Sequence, residues 1–547
     1  MREAEELRMR WMRSRMRARC AGAVRAALLL VAACVATSSA CRVGVPGVPP
    51  APGADATGFR LPALRAAPDP VAGGRFVDAH GREVLLRGVN VNAHVEYWQQ
   101  SPARFTTYPF TEADAEAIAA VGWTAVRLLL SWSRVEPAPG VYDGAYLDEI
   151  EHAIRLLERR GVYAIVDLHQ DAWGATLAAR PGETCRANET PAFGWDGAPG
   201  WATFDGGRRR CVPVGGFGGR EFSPAVLAAF QAFWDDAPGP GGVGLRARYA
   251  AMLAHVAARF SRHDAVAGYD VMNEPNAFSL LDGQLDALGA FYGEAVAAIR
   301  AAEDAAGAPH RIVFFEPSIA WGVLDSAPAP FTDDDQIAYA PHLYQGGLDA
   351  TPLDATPFER ARREANELYG GAPVLSGEWG GGPERAENPA DAYFLLHQAL
   401  QDEFRIGATL WTWREACGDP HKAADWRDGR IPYVWGLFDV DCAANQITGV
   451  RTPLLAQLTR PALRAVAGRI ERLAVDPATR ALEATGASGA RGSFVAFVPG
   501  PIATTGPRID GDGIESFAWS PAPGGGAYVS GWLRAGAWRI ALAPGDE

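Results

Sequence analysis

The chain has 547 residues, too many for one ordinary core, so about two or three domains are expected. A formal net charge of -13 and a pI near 5.4 argue against a phosphate backbone as partner, because such binding rests on clustered Lys and Arg. Nucleic acid is therefore excluded as the main ligand.

Arg is abundant in the first 25 residues, and an apolar run from Ala26 to Val35 follows. A basic stretch before a short hydrophobic core is the pattern of an export signal, and the run is too short to span a bilayer. Val31-Ala32-Ala33-Cys34 resembles a bacterial lipoprotein cleavage box, whereas Ser38-Ser39-Ala40-Cys41 fits a poorer box or an ordinary small-residue cleavage site. A start at Met12 or Met16 would shorten the basic stretch. Residues 1–41 are assigned to the signal, so the mature protein is expected to be secreted or held at the cell surface by a lipidated Cys34 or Cys41. Residues 42–73, rich in Pro, Gly and Ala without apolar period, read as a linker.

The fold is expected to begin near Gly74, with a hairpin over Arg75 to Leu86 turning at Gly81. Eight short apolar runs then alternate with helical patterns: Leu85 to Val91, Ala125 to Leu130, Tyr163 to Leu168, Val266 to Met272, Ile312 to Phe315, Ile337 to Ala340, Pro373 to Leu375 and Ala408 to Trp411. Helical patterns such as Tyr146 to Arg159 and Leu245 to Phe260 lie between them. This repetition predicts an α/β chain whose residues 74–460 form a (β/α)8 TIM barrel, with its site at the carboxyl ends of the strands. A doubly wound open sheet is the rival, but no Gly-x-Gly-x-x-Gly follows the first strand and polar residues end several strands. Alternating runs past Pro461, broken by Gly and Pro, predict a small C-terminal antiparallel β-sandwich over residues 461–547. Trp519, Trp532 and Trp538 there could belong to a carbohydrate-binding face, or the domain could be a structural lid.

Cys20, Cys34 and Cys41 fall in or beside the signal, leaving four cysteines in the folded part. The simplest pairing joins Cys185 to Cys211 and Cys417 to Cys442, each closing a loop of about 26 residues and contributing roughly 3 kcal/mol. A zinc site is the weaker reading, since no pair has Cys-x-x-Cys spacing.

The strand ends carry the chemistry. Asn273-Glu274-Pro275 ends the fourth run and Gly377-Glu378-Trp379 the seventh; two such acids equip a site to cleave a glycosidic bond. The other runs deliver Arg127, Asp167-Leu168-His169-Gln170-Asp171, His342-Leu343-Tyr344 and Trp411-Thr412-Trp413. An Arg beside a carboxylate keeps it ionised, Tyr or His can donate to it, Asn273 can hold a sugar 2-hydroxyl and a Trp face can take a pyranose ring. Trp321, Trp413 and Trp435 are equally readable as core, and Glu316, lacking an Asn or aromatic neighbour, reads as structural.

This ordered set resembles glycoside hydrolase family 5 over roughly residues 75–415. The resemblance implies a retaining double displacement, with Glu274 as acid/base and Glu378 as nucleophile, Glu274 raised and Glu378 lowered in pKa, and no cofactor. His169-Gln170-Asp171, the insertion containing Asp196-Gly197-Ala198-Pro199-Gly200-Trp201, and the trailing β domain are similar to endoglycoceramidases and their sterol-glucoside and glycosylceramide relatives. That likeness implies a sugar–lipid bond as target, with Asp171 holding the glycone and Trp411 stacking on it. The segment Asn90 to Gln100, with His94, Tyr97 and Trp98, departs from the group. An endo-β-glucanase or mannanase, and a non-catalytic carbohydrate-binding protein, are the competing functions; a glycolipid or β-glycan is the expected partner and a monomer the expected state.

Overall fold

The computed structural model describes residues 61–214, 219–277, 283–348, 351–386, 388, 391–422, 434–500 and 506–543. The export signal and the linker up to residue 60 lie outside the described residues.

Eight parallel strands form the centre: β1 Arg87–His94, β2 Ala125–Ser131, β3 Tyr163–His169, β4 Val266–Asp270, β5 Ile312–Phe315, β6 Ile337–Tyr339, β7 Leu375–Trp379 and β8 Gly407–Leu410. Their spatial order is β6-β5-β4-β3-β2-β1-β8-β7. Parallel bridges Tyr339↔Val374 and Leu343↔Trp379 close the ring between β6 and β7. Each of the eight apolar runs of the sequence thus contributes one strand, as a barrel wrapped by helices requires. Every residue of β2 and β3 is buried. At Gly88 and Gly268 a Cβ would lie 1.7 Å from the carbonyl oxygen of Ala125 and 1.9 Å from that of Ile312, so only glycine lets these strands approach their neighbours.

The helix Gly144–Arg159 shows how the outer ring forms. The Asp143 carboxylate accepts the N–H groups of Ala145 and Tyr146, capping the first turn, and Tyr146, Leu147, Ile150, Ala153, Ile154 and Leu157 make one buried stripe. Gly161, at φ 69°, turns the chain into β3.

Two expectations need correction. The linker is shorter than residues 42–73, because Leu64–Ala67 is a strand paired antiparallel with Arg75–Asp78; its two inward residues, Leu64 and Ala66, are buried. The Arg75 hairpin does turn at Gly81, but it belongs to the sandwich and not to the barrel, since Arg82–Val84 pairs with Ala462–Ala467. The pairing covers an edge that the C-terminal strands would otherwise leave open. The resulting seven-stranded sheet faces a four-stranded one across a core that includes Leu85, Val466, Phe494, Val529 and Trp538.

The sandwich sits against the barrel's amino-terminal side. The buried Arg464 donates to the carbonyls of Gly122, Trp123 and Gly161 at 3.2, 3.2 and 2.6 Å. Its three tryptophans do not form one face. Trp538 is buried in the sandwich core, Arg491 covers Trp532 at 4.1 Å, and Trp519 projects from the opposite side of its strand to the residue paired with Trp532.

Candidate active site

Arg127 occupies the barrel interior and is fully buried. Its Nε donates to Asp270 at 2.9 Å, and Nη1 donates to Asn90 and Glu378, each at 3.1 Å. Nη2 donates to Asn273 at 2.9 Å and Glu316 at 3.0 Å, and lies 2.9 Å from Asp167. Five donors in a planar fork suit this radial set, which Lys could not reproduce. Burial works against the guanidinium charge, and the four surrounding acids more than restore it. One cation cannot hold four acids ionised: burial pushes Asp167 up to about 8 and Asp270 up to about 6, with Arg127 opposing.

Glu274 and Glu378 face each other across His342. His342 Nδ1 lies 2.9 Å from Glu274 and 3.6 Å from Glu378, and Nε2 lies 3.1 Å from Glu316. One carboxylate oxygen from each glutamate and one His342 nitrogen fall within 4.8 Å of one another. So close an approach suits direct attack by one carboxylate better than activation of an intervening water, for which the carboxyl groups stand about 6.5 to 9.5 Å apart. Burial works against protonation of His342, but Glu316, Glu378 and Glu274 hold it well above the ordinary range as an imidazolium.

The backbone delivers Glu274 in an unusual conformation, with φ at 39°, where a non-glycine residue is strained. Neighbours fix it there. Gln170 Nε2 donates to the carbonyls of Asn273 at 2.7 Å and Glu274 at 3.0 Å, while Glu316 accepts the Glu274 N–H at 2.9 Å. On the other acid, the Tyr344 hydroxyl donates to Glu378 at 2.8 Å. Asn273 receives Arg127 and donates to the Gln170 carbonyl at 3.0 Å, which leaves its second amide N–H for a ligand.

Beside this pair the segments after β1, β3 and β8 bring a second polar and aromatic cluster together. His169 stacks on Trp411, ring centroids 5.5 Å apart; its Nδ1 meets Asp167 at 2.8 Å, and burial holds it neutral, down to about 4. Asp171 receives Arg220 at 2.6 Å and lies 3.3 Å from His421 Nε2, whose Nδ1 is 2.8 Å from Asp419. Tyr97 lines the same wall, edge-on to His421. Both oxygens of the buried Asp196 lack a hydrogen-bond partner, as does His169 Nε2; Asp171, Asp196 and His169 bring ligand atoms within 4.8 Å of one another. The spacing would admit a cation, but burial and the Asp171 charge push the Asp196 carboxyl well above its usual range, against the ionised form that a metal needs. Convergent polar groups of this kind suit the hydroxyls of a sugar.

The sequence-predicted residues Arg127, His169, Asp171, Asn273, Glu274, His342, Tyr344, Glu378 and Trp411 all converge on this rim. Cys185–Cys211 and Cys417–Cys442 are bonded as paired in the sequence, with Cα separations of 5.7 and 5.4 Å. Trp413 and Trp321 are core, their indole N–H groups bound by Asp114 and Glu364, while Trp435 packs beside Trp411. Glu316 is more than structural, touching Arg127, His342 and Glu274. The expected order of acidity is reversed. Burial raises Glu274, but the His342 hydrogen bond and charge together with Arg220 bring it below the ordinary value; burial and the Glu274 charge hold Glu378 above its own, because Arg127 is shared with three other acids. Asp196 was marked only as part of its insertion, with no role, and Arg220, Asp419 and His421 were missed, since no motif marks them.

Residues 77–416 match Cellulase (glycosyl hydrolase family 5), which is more than half of the chain. The chain belongs to glycosyl hydrolase family 5. Among family relatives, endoglycoceramidase I of Rhodococcus hoagii is 28% identical over 284 residues, 50% of this chain and 52% of that protein. The curated relatives are matched over 17% to 52% of their own lengths. A crystal structure of endogalactoceramidase superposes with a TM-score of 0.77 at 33% identity, covering 88% of this chain and 100% of that one. Endo-glycoceramidase II from Rhodococcus sp. gives a TM-score of 0.63 at 26% identity, covering 86% and 99%.

Proposed function

We propose that the chain is a retaining β-glycosidase that hydrolyses the bond between a sugar and a lipid aglycone such as ceramide. The observation that carries this reading is the approach of the Glu274 and Glu378 carboxylates to within 4.8 Å at the barrel rim, a spacing suited to a covalent glycosyl intermediate. The lipid half rests on likeness to enzymes named for glycoceramides, one of which is described as a lactosyl-enzyme intermediate.

Glu378 attacks the anomeric carbon while Glu274 protonates the leaving oxygen. Arg127 and Tyr344 hold the Glu378 carboxylate in line, and developing positive charge on the sugar ring favours its ionised form. Once the ester forms, Glu378 no longer repels a second charge. Glu274 is then the carboxylate that accepts a proton from water attacking the ester. Arg127, Asn273 and His342 support the pair, while His169, Asp171 and Trp411 hold the glycone. Export, with or without lipidation at Cys34 or Cys41, fits the two disulfides.

The test incubates purified protein with glucosylceramide, galactosylceramide and lactosylceramide in detergent, in parallel with carboxymethylcellulose and mannan. Free ceramide and a sugar product first formed as the β-anomer are expected. Release from the polysaccharides alone would refute the lipid assignment.

A further inference from the structure

Arg220 is held in four directions. Its Nη2 donates to Asp171 at 2.6 Å and lies 3.5 Å from Glu274 Oε2, its Nε donates to Glu221 at 3.0 Å, and its guanidinium lies 4.3 Å from the centre of the Trp195 ring. Of its three carboxylate contacts, those to Asp171 and Glu221 are close and the one to Glu274 is the longest. The residue belongs to the short segment Gly219–Phe222, and its side chain keeps 21% exposure, whereas the cation on the other Glu274 oxygen, His342, is wedged between Glu274 and Glu316.

We propose that Arg220 is a positioning residue that couples the sugar pocket to the acid/base: it spans Asp171 and Glu274 in the free enzyme and gives up Glu274 when a leaving oxygen approaches, so that Glu274 takes its proton only with substrate in place. The inference rests on the assignment of Glu274 as acid/base. The leaving oxygen must come within hydrogen-bond reach of a Glu274 oxygen. With Oε1 engaged by His342, Oε2 is the one that can change partner, and Arg220 is what it would exchange. Asp171, Glu221 and Trp195 keep the guanidinium anchored when that contact is lost.

Among the described residues the charges around Glu274 are those of His342 after β6, Arg220 with its partner Glu221, Asp171 after β3, Glu316 after β5 and Glu378 on β7; burial pushes Glu221 up to about 7, with Arg220 opposing. Around Asp171 they are Arg220, His421 and Asp419, with the Asp196 carboxyl pushed well above its usual range. Among the described residues Arg220 joins the two sets through one side chain. Removing its cation disfavours the Glu274 carboxylate, so the proton needed for acid catalysis is held to higher pH.

The test is the pH dependence of kcat and kcat/KM for an alkyl β-glycoside, whose leaving oxygen needs a proton, measured on the wild type, Arg220→Gln, Arg220→Lys and Glu274→Gln, each first checked for an unchanged thermal transition. The profile of kcat/KM reports the free enzyme and that of kcat the complex. In the wild type the alkaline limb of kcat should lie about one unit above that of kcat/KM. Arg220→Gln should raise the kcat/KM limb to meet the kcat limb and leave the latter in place, and Arg220→Lys should restore the wild-type gap. A purely structural Arg220 would lower rates without moving either limb, and an Arg220 that stays on Glu274 in the complex would move both limbs equally; either result overturns the coupling. If the alkaline limb survives in Glu274→Gln, the acid/base assignment itself fails and the inference with it.

Discussion

Glu316 accepts the backbone N–H of Glu274 at 2.9 Å with one oxygen while its other oxygen meets Arg127 and His342. The acid at the end of β5 therefore fixes both the strained backbone of Glu274 and the imidazolium between the two glutamates. Glu316→Gln keeps the shape but removes the charge and presents an N–H to a donor-rich neighbourhood. Turnover should fall by about 100-fold through misplacement of Glu274, with the thermal transition lowered modestly. Steady-state kinetics beside a thermal melt separate the two effects.

Glu274→Ala removes acid catalysis and should cost roughly 100- to 10,000-fold on a poor leaving group such as a sphingolipid alcohol. The loss should shrink on an activated aryl glycoside, whose departure needs no proton. Equal losses on both substrates, compared by kcat/KM, would contradict the acid role.

His342 supplies a cation that favours the ionised form of both glutamates. In His342→Gln that cation is gone, so both carboxyl pKa values rise. The acid limb of the pH–rate profile, where the nucleophile becomes protonated, should then move to higher pH, and the alkaline limb, where Glu274 loses its proton, should follow it. The check is kcat/KM across the pH range, with an acid limb shifted downward as the contrary result.

The two disulfides bracket the loops that carry the pocket. Cys185–Cys211 encloses Asp196, and Cys417 lies two residues before Asp419 and four before His421. Replacing both cysteines of either pair by Ala should cost about 3 kcal/mol in urea unfolding. Losing the Cys417 pair should also raise KM, because the Asp171–His421–Asp419 chain loses its anchor. An unchanged KM in a folded variant would count against that role.

The barrel was legible because strands buried on both faces read as unbroken apolar runs, as in Ala125–Ser131 and Tyr163–His169. Leu64–Ala67 and Ile514–Pro521 were missed, being an isolated short strand and an edge strand with small and polar residues in alternation. The catalytic-face residues that end strands were legible for the same positional reason. Asp167 and Asp270 left a usable signal as acids inside apolar strands. Arg220 and His421 left none, since each meets Asp171 only through loops distant in sequence. The acidity of Glu274 and Glu378 was misjudged because it depends on where His342 and Arg220 lie in space.

The central claim is that Glu378 forms the covalent glycosyl intermediate. Incubation with an activated 2-deoxy-2-fluoro-β-glycoside, followed by proteolysis and peptide mass spectrometry, tests it most directly. The account predicts inactivation with one fluoro-sugar attached to the peptide containing Glu378, and none in Glu378→Ala. Label on another residue, or continued turnover to an inverted product without label, would contradict it.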